Sequence, residues 1–170
     1  MRGKPTAARL FWLSCAYLIP MVLSSSPADA SASPTTVLGI WASAPSKTGR
    51  AHIEVKEIDG ELVGDVVWLE KPIFEAADGV DLAGQPKTDQ NNPKASLRDV
   101  PIVGLRILRG MKPTGATTWE GGTIYDPENG KTYKSKMTFS NPNRIKMRGF
   151  IGISLLGRTT EWTRVERERE

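Results

Sequence analysis

Few side chains in this sequence could carry chemistry, and most of them lack a partner. His52 is the only histidine, so a hydrolase of the Ser–His type would have to be built on it. It shares a face with Glu54 and Lys56 in an alternating run, which is a solvent-facing position. No Gly-x-Ser-x-Gly elbow is present, and Gly152-Ile153-Ser154 lacks the helix that should follow one. Asp65, Asp89, Glu120 and Asp126 are candidates for the paired carboxylates of glycoside hydrolysis. Asp126, followed by Pro127, is better suited to cap its own turn through an Asx bond. Asp89, Asn91 and Asn92 offer oxygen ligands to calcium, but their spacing is not that of an EF-hand loop, and they read as satisfying a loop's own backbone. The sequence therefore assigns no catalytic residue, no metal ligand set and no cofactor.

Recognition is better provided for than catalysis. Asp89 and Asn92 lie in a polar string, Gln85 to Pro93, where Asn92-Pro93 restricts the backbone and can aim Asp89. Tyr125 and Tyr133 flank a tight hairpin turn, and Arg148 and Arg158 stand among Gly149, Gly152 and Gly157. These six, Asp89, Asn92, Tyr125, Tyr133, Arg148 and Arg158, are the expected ligand-binding residues. The expected geometry is a lid over one barrel mouth, with Asp89 and Asn92 near both tyrosines and a loop carboxylate latched to Arg148 or Arg158. Lys134, Lys136, Lys146 and Arg148 alternate on two runs and form a basic stripe if those runs pair. Neighbouring acids would reduce that stripe to an ordinary solvated face. Beyond the N-terminal Trp12, Trp41, Trp68, Trp119 and Trp162 suit a core more than a stacking platform.

The elements that position these residues are short strands. Trp119 to Phe139 reads as a hairpin. Asp126-Pro127 opens its turn, Asn129-Gly130 tolerates the positive φ that reverses the chain, and Tyr133, Ser135, Met137 and Phe139 share the apolar-leaning face. The pattern predicts strands at Val37–Ser43, Ala51–Ile58, Glu61–Leu69, Ile102–Leu108, Trp119–Tyr125, Lys131–Phe139, Arg144–Ile151 and Arg158–Val165. Leu62, Gly64, Val66 and Trp68 should share one face of the third. Between the third and fourth, residues 70–100 form a long loop broken by Pro72, Pro86 and Pro93, with one helical turn from Pro93 to Arg98 capped by Asn92. Eight short strands without a long amphipathic helix predict an all-β fold, a single antiparallel, mostly up-and-down barrel, with a sandwich as the alternative.

The N-terminus is of a different kind. Arg2, Lys4 and Arg9 precede an apolar run from Leu10 to Leu23 and an Ala28-Asp29-Ala30 cleavage pattern, the order of a secretory signal peptide. Residues 1–30 are the expected signal, 31–36 a disordered leader, 37–165 the barrel domain and 166–170 a charged tail. Cys15, the single cysteine, lies inside the apolar run, so the exported chain has neither disulfide nor thiolate. Without the signal, the 23 Lys and Arg fall to 20 and the 19 Asp and Glu to 18, a net charge of +2 that makes no case for nucleic acid. The expected location is the periplasm or the exterior, with no part integral to the membrane after cleavage.

Gly39-x-Trp41, Gly64-x-x-x-Trp68, Asp89-x-x-Asn92-Pro93, the Trp119–Tyr133 hairpin, and Arg148-Gly149-Phe150-Ile151-Gly152 through Leu156-Gly157-Arg158-Thr159 to Trp162 resemble a bacterial exported family called domain of unknown function 2147. The resemblance spans about Gly39 to Val165 and implies export and a small β-barrel, with no established reaction. At the level of fold the chain also resembles lipocalin-like barrels, which carry a Gly-x-Trp in the first strand and an arginine late in the last that packs over the tryptophan. Trp41 would be that tryptophan and Arg164 or Arg158 that arginine. The favoured function is a non-enzymatic envelope module that binds a small apolar or anionic ligand (lipid-like or glycan) or another envelope protein. The alternatives are a carboxylate-dependent enzyme on an envelope glycan or lipid, and a purely structural protein partner.

Overall fold

The computed structural model describes residues 36–79 and 81–166. The expected signal peptide, nearly all of the leader and the end of the charged tail lie outside them. Eight strands follow in chain order: β1 (Gly39–Ala42), β2 (Ala51–Ile58), β3 (Glu61–Leu69), β4 (Arg106–Gly115), β5 (Thr118–Asp126), β6 (Lys131–Asn141), β7 (Arg144–Phe150) and β8 (Arg158–Arg164). Each pairs antiparallel with the next, and β8 returns to β1 through Trp41 opposite Arg164 and Ala42 opposite Thr163, which closes the barrel. Closure removes the exposed edges that an open sheet of this composition would present.

Alternation fills the barrel from within. Trp41, Ile53, Leu108, Met111, Met137 and Ile145 are fully buried, with Val55, Val66, Met147 and Trp162 nearly so. Three methionines among them suit the irregular space a small barrel leaves, because an unbranched thioether adapts to it. Ser135, the one small polar residue on the β6 inner face, is buried with its hydroxyl 3.0 Å from the Met111 sulfur.

One end of the barrel is plugged. The Arg164 guanidinium lies 4.2 Å from the Trp41 ring centroid and donates to the carbonyls of Thr36, Leu38 and Pro142. Trp41 in turn donates its indole N–H to the Val37 carbonyl at 2.9 Å. A planar fork with five donors can bridge three carbonyls while stacking on an indole, which an ammonium cannot. Of the two arginines considered for this role, Arg164 holds it.

Two strand expectations change. The fourth strand runs from Arg106 to Gly115 and not from Ile102 to Leu108. Gly110 and Pro113 look like terminators, but Gly110 takes φ +66° where β4 bulges against β3. Pro113 lies beyond Met111, the last β4 residue that β3 pairs, where a missing N–H is tolerated. Trp68 does not share the inner face with Val66. The β2–β3 register passes from Ile53 opposite Val66 to His52 opposite Trp68, so Val67 is an extra residue that reverses the facing beyond it. Trp68 is exposed and packs on His52, ring centroids 4.2 Å apart.

Candidate functional site

The plugged end carries the short turns after β2, β4 and β6. The other end carries the turn 43–50, segment 70–105, the hairpin turn 127–130 and loop 151–157. All six expected ligand-binding residues lie at this second end, but they divide into three groups.

Asp89, Asn92 and Tyr125 form the first group. Asp89 is fully buried. Its carboxyl accepts from the Tyr125 hydroxyl at 2.8 Å on one oxygen and from the Asn92 amide at 2.7 Å on the other. Backbone bonds hold it from below, Asp89 N–H to the Val100 carbonyl and Asn92 N–H to the Asp89 carbonyl, both 2.9 Å. Burial and the bond to Asp89 push the Tyr125 phenol above its ordinary range. The helical turn spans Ala95–Leu97 as a 3-10 turn with Lys94 at its N-cap, so Asn92 caps nothing there. Its side-chain oxygen instead accepts from Lys94 N–H in an Asx-type turn.

This group does not cover the mouth. Ile124 faces inward, opposite Leu108 and Tyr133, so Tyr125 faces outward, and residues 89–97 lie against the outer wall of β4 and β5, while Ile102 packs into the core and Gly104 and Leu105 bond to Val66 of β3. The latch also differs from the expected one. The Asn91 amide donates to the carbonyls of Pro127 and Glu128, both at 3.1 Å, pinning the segment to the hairpin turn. Gly130, at φ +68°, lies directly beneath the Asn91 carbonyl.

Tyr133 and Arg158 form the second group, on the inner face at the mouth. Arg158 stands opposite Gly149 on the face of Thr160 and Trp162. The Tyr133 hydroxyl accepts from the Asn129 amide at 3.2 Å. Nearby, burial raises the Asp126 carboxyl above its ordinary range, with Glu128 adding to the rise and Arg158 opposing it. Asp126 also caps its turn as expected, accepting from Glu128 N–H at 2.9 Å.

Arg148 stands alone as the third. Its guanidinium donates to the carbonyls of Ser154 and Leu155 and to the Thr159 hydroxyl, all within loop 151–157 and the start of β8. No carboxylate of segment 70–105 meets Arg148 or Arg158 among the described residues, and Asp89 is satisfied by the neutral donors Tyr125 and Asn92.

The other candidates take structural partners. Lys136 pairs with Glu120 at 2.6 Å and Lys146 approaches Glu161 at 3.9 Å, so the basic stripe is partly offset by acidic neighbours. Asp65 accepts from Arg106 at 2.8 Å and from Lys56 at 2.8 Å on the outer wall. These contacts, the Arg106 bond first, hold its carboxyl down at about 2 from an ordinary 3.8. A depressed carboxyl pKa contributes stability that is complete above 3.8 and vanishes as pH falls through about 2. In acid titrations followed by thermal melting, Asp65→Asn should therefore be less stable than wild type at pH 5 and above, with the gap closing toward pH 2.

Beside Asp89 the wall and the segment enclose a cleft of about 340 Å³. Asp89, Asn92, Tyr125, Thr123 and Thr132 give it polar groups, while Leu97, Leu105 and Ile107 give it apolar surface. Lys94, Arg106 and Arg109 also line it. Arg106 is taken by Asp65, whereas neither Lys94 nor Arg109 has a carboxylate partner among the described residues. Sequence reading missed these three cations. The only signal was Arg106 and Arg109 bracketing Ile107-Leu108, which is hidden when the strand is ended at Leu108.

A family model described as "Uncharacterized protein conserved in bacteria (DUF2147)" matches residues 39–164. The chain belongs to this family. Comparison with curated protein sequences finds no match. Among solved structures, one described as "Protein HP1028 from the human pathogen Helicobacter pylori belongs to the lipocalin family" superposes with a TM-score of 0.65 at 20% identity. The superposition covers 78% of this chain and 85% of that one. At that identity the likeness is one of fold, and this DUF2147 domain is a closed, eight-stranded, lipocalin-like barrel.

Proposed function

We propose that this protein is an exported, non-enzymatic binding protein of the bacterial envelope. Its ligand is a small amphiphile with an anionic head, held in the cleft between residues 89–97 and the outer wall of β4 and β5. The observation that carries the reading is the lining of the cleft. Lys94 and Arg109, without carboxylate partners, face a surface supplied by Leu97, Leu105 and Ile107. A volume of about 340 Å³ suits a small molecule. Asp89 is fully buried against Tyr125 and Asn92 and makes no ion pair with either cation, which leaves both for the ligand. The lipocalin-like fold of the neighbour is compatible with small-ligand binding, and the N-terminal basic–apolar–small order supports export.

The enzyme alternative is less well supported. It needs two carboxylates across a cleft, and each of the four candidates is engaged locally: Asp65 with Arg106, Glu120 with Lys136, Asp126 with its turn and Asp89 with Tyr125.

The test is titration with a fluorescent fatty-acid analogue. Arg109→Glu should weaken binding about 10- to 100-fold by setting a like charge beside the head group. Its thermal midpoint should stay close to wild type, because Arg109 is exposed. Equal affinity in wild type and variant would remove the cleft as the site.

A further inference from the structure

We propose that loop 151–157 is a membrane-contacting tip that seats the end of the barrel opposite the plugged one on an anionic lipid bilayer. The proposal does not depend on the cleft, which lies on the outer wall. Ile151, Ile153, Leu155 and Leu156 expose 66%, 61%, 82% and 78% of their surface, the most exposed large apolar residues in the described chain. Four aliphatic side chains within six residues are unusual on a soluble surface, where such residues are normally scattered singly.

The loop is also held in shape. Arg148 reaches out of β7 and donates to the Ser154 carbonyl at 2.8 Å, the Leu155 carbonyl at 3.0 Å and the Thr159 hydroxyl at 2.8 Å. The 3-10 turn Ser154–Leu156 is thereby fixed with Leu155 and Leu156 turned to solvent. A loop that only needed to connect two strands could fold those side chains back against the barrel. This one is clamped in the arrangement that keeps them out.

The charges around the tip select the occupant. Arg148 binds neutral carbonyls and a hydroxyl, Lys134 stands opposite Phe150 at the base of the loop, and Arg158 begins the next strand. None of the three makes an ion pair with a carboxylate among the described residues. The acids on the adjoining turn are Asp126, which interacts with Arg158 at longer range, and Glu128, which accepts from Thr48. Aliphatic side chains ringed by cations that no carboxylate pairs directly match the boundary between acyl chains and anionic headgroups. A second copy of the chain is a poorer fit, because four side chains on a convex tip fall short of the ~800 Å² per partner that a stable interface buries.

The test uses the chain from residue 31 onward, which has no cysteine and is free of the apolar run of the expected signal, so that lipid binding reports on the barrel alone. An environment-sensitive nitrobenzoxadiazole label is placed at Leu155→Cys or, at the plugged end, at Asn143→Cys. With equimolar phosphatidylcholine–phosphatidylglycerol vesicles, the 155 label should brighten several-fold and be quenched by nitroxide lipids, while the 143 label stays silent. Pure phosphatidylcholine should require about 100-fold more lipid, given about tenfold or less for each of the three cations. Adding Ile153→Ser and Leu156→Ser should raise the lipid requirement on the order of 100-fold through lost apolar burial. The proposal is overturned by a silent 155 label on both vesicle types or by an equal response from the 143 label. It is equally overturned if the serine variant keeps its lipid affinity, or if the 155 signal rises with protein concentration in the absence of lipid, which would make the tip an interface between copies.

Discussion

Gly130→Ala is expected to lower stability by about 3 kcal/mol, well beyond the ~1 kcal/mol that a β-carbon at positive φ costs alone. The excess comes from segment 70–105. At φ +68° an added Cβ would lie 1.9 Å from the Asn91 carbonyl oxygen and 2.9 Å from its carbon. Those are backbone atoms of a segment tied to the same turn by the Asn91 amide, so they cannot swing aside as a side-chain end would. The turn must distort or the segment must lift. Gly60 is the internal control, with φ +77° in the β2–β3 hairpin and nothing within 4 Å of an added Cβ. Gly60→Ala should therefore lose only about 1 kcal/mol. Denaturant midpoints of both variants decide the matter, and for a domain of this size the Gly130 effect amounts to a thermal shift of about 10 °C. Equal losses at the two sites would show that the segment does not press on the turn.

The contrast between those glycines also shows which parts of the fold were legible. Asp59-Gly60 and Asn129-Gly130 both announce chain reversal through local chemistry, and both reversals stand where the sequence puts them, with Asp59 at φ 53°. Alternation then gives the inner face of β6, and Gly39-x-Trp41 with a late arginine gives the plugged end. These signals work because the strands are adjacent in sequence and the barrel repeats one rule. Features set by distant packing were not legible. The extra residue at Val67 that turns Trp68 outward is chosen by how β2 and β3 twist together. Gly110 and Pro113 could remain in β4 only because a bulge and an unpaired strand edge receive them.

The contacts among the candidate residues were legible in part. Asp89, Asn92 and Tyr125 do meet, since a restricted polar string must satisfy its backbone and a hairpin end offers a phenol. Tyr133 belongs to the opposite face of the sheet, a consequence of the period of two that separates Ile124 from Tyr125. Assigning Arg148 and Arg158 to a loop carboxylate assumed that a guanidinium seeks a charge. Arg148 instead serves the carbonyls of its own loop, which need donors just as much.

Tyr125→Phe and Asp89→Asn should separate what this group contributes as a pair from what each member contributes alone. Tyr125→Phe removes the donor to one Asp89 oxygen and leaves a buried acceptor unsatisfied, an expected loss of about 2 kcal/mol. Asp89→Asn keeps the shape. Its remaining oxygen can still accept from the Asn92 amide, and its new NH2 can donate to a Tyr125 hydroxyl turned to accept, so the loss should be about 1 kcal/mol. In the double variant the new NH2 faces a ring with no hydroxyl, and the cycle should yield a coupling of about 1 kcal/mol or more. Asp89→Ala is the severe case. It strands the phenol and the Asn92 amide together and opens a void at the base of the segment, for an expected loss of about 3 kcal/mol. Hydrogen exchange gives the spatial readout. The Asn92 amide, which donates to the Asp89 carbonyl, and the Ile102 amide, which donates to Lys87, should lose protection in Asp89→Ala while the Met137 and Ile145 amides keep theirs. Uniform loss of protection across the barrel would mean that Asp89 supports the whole fold and not the segment alone. Unchanged protection at Asn92 would mean that the carboxyl does not hold the segment to the wall.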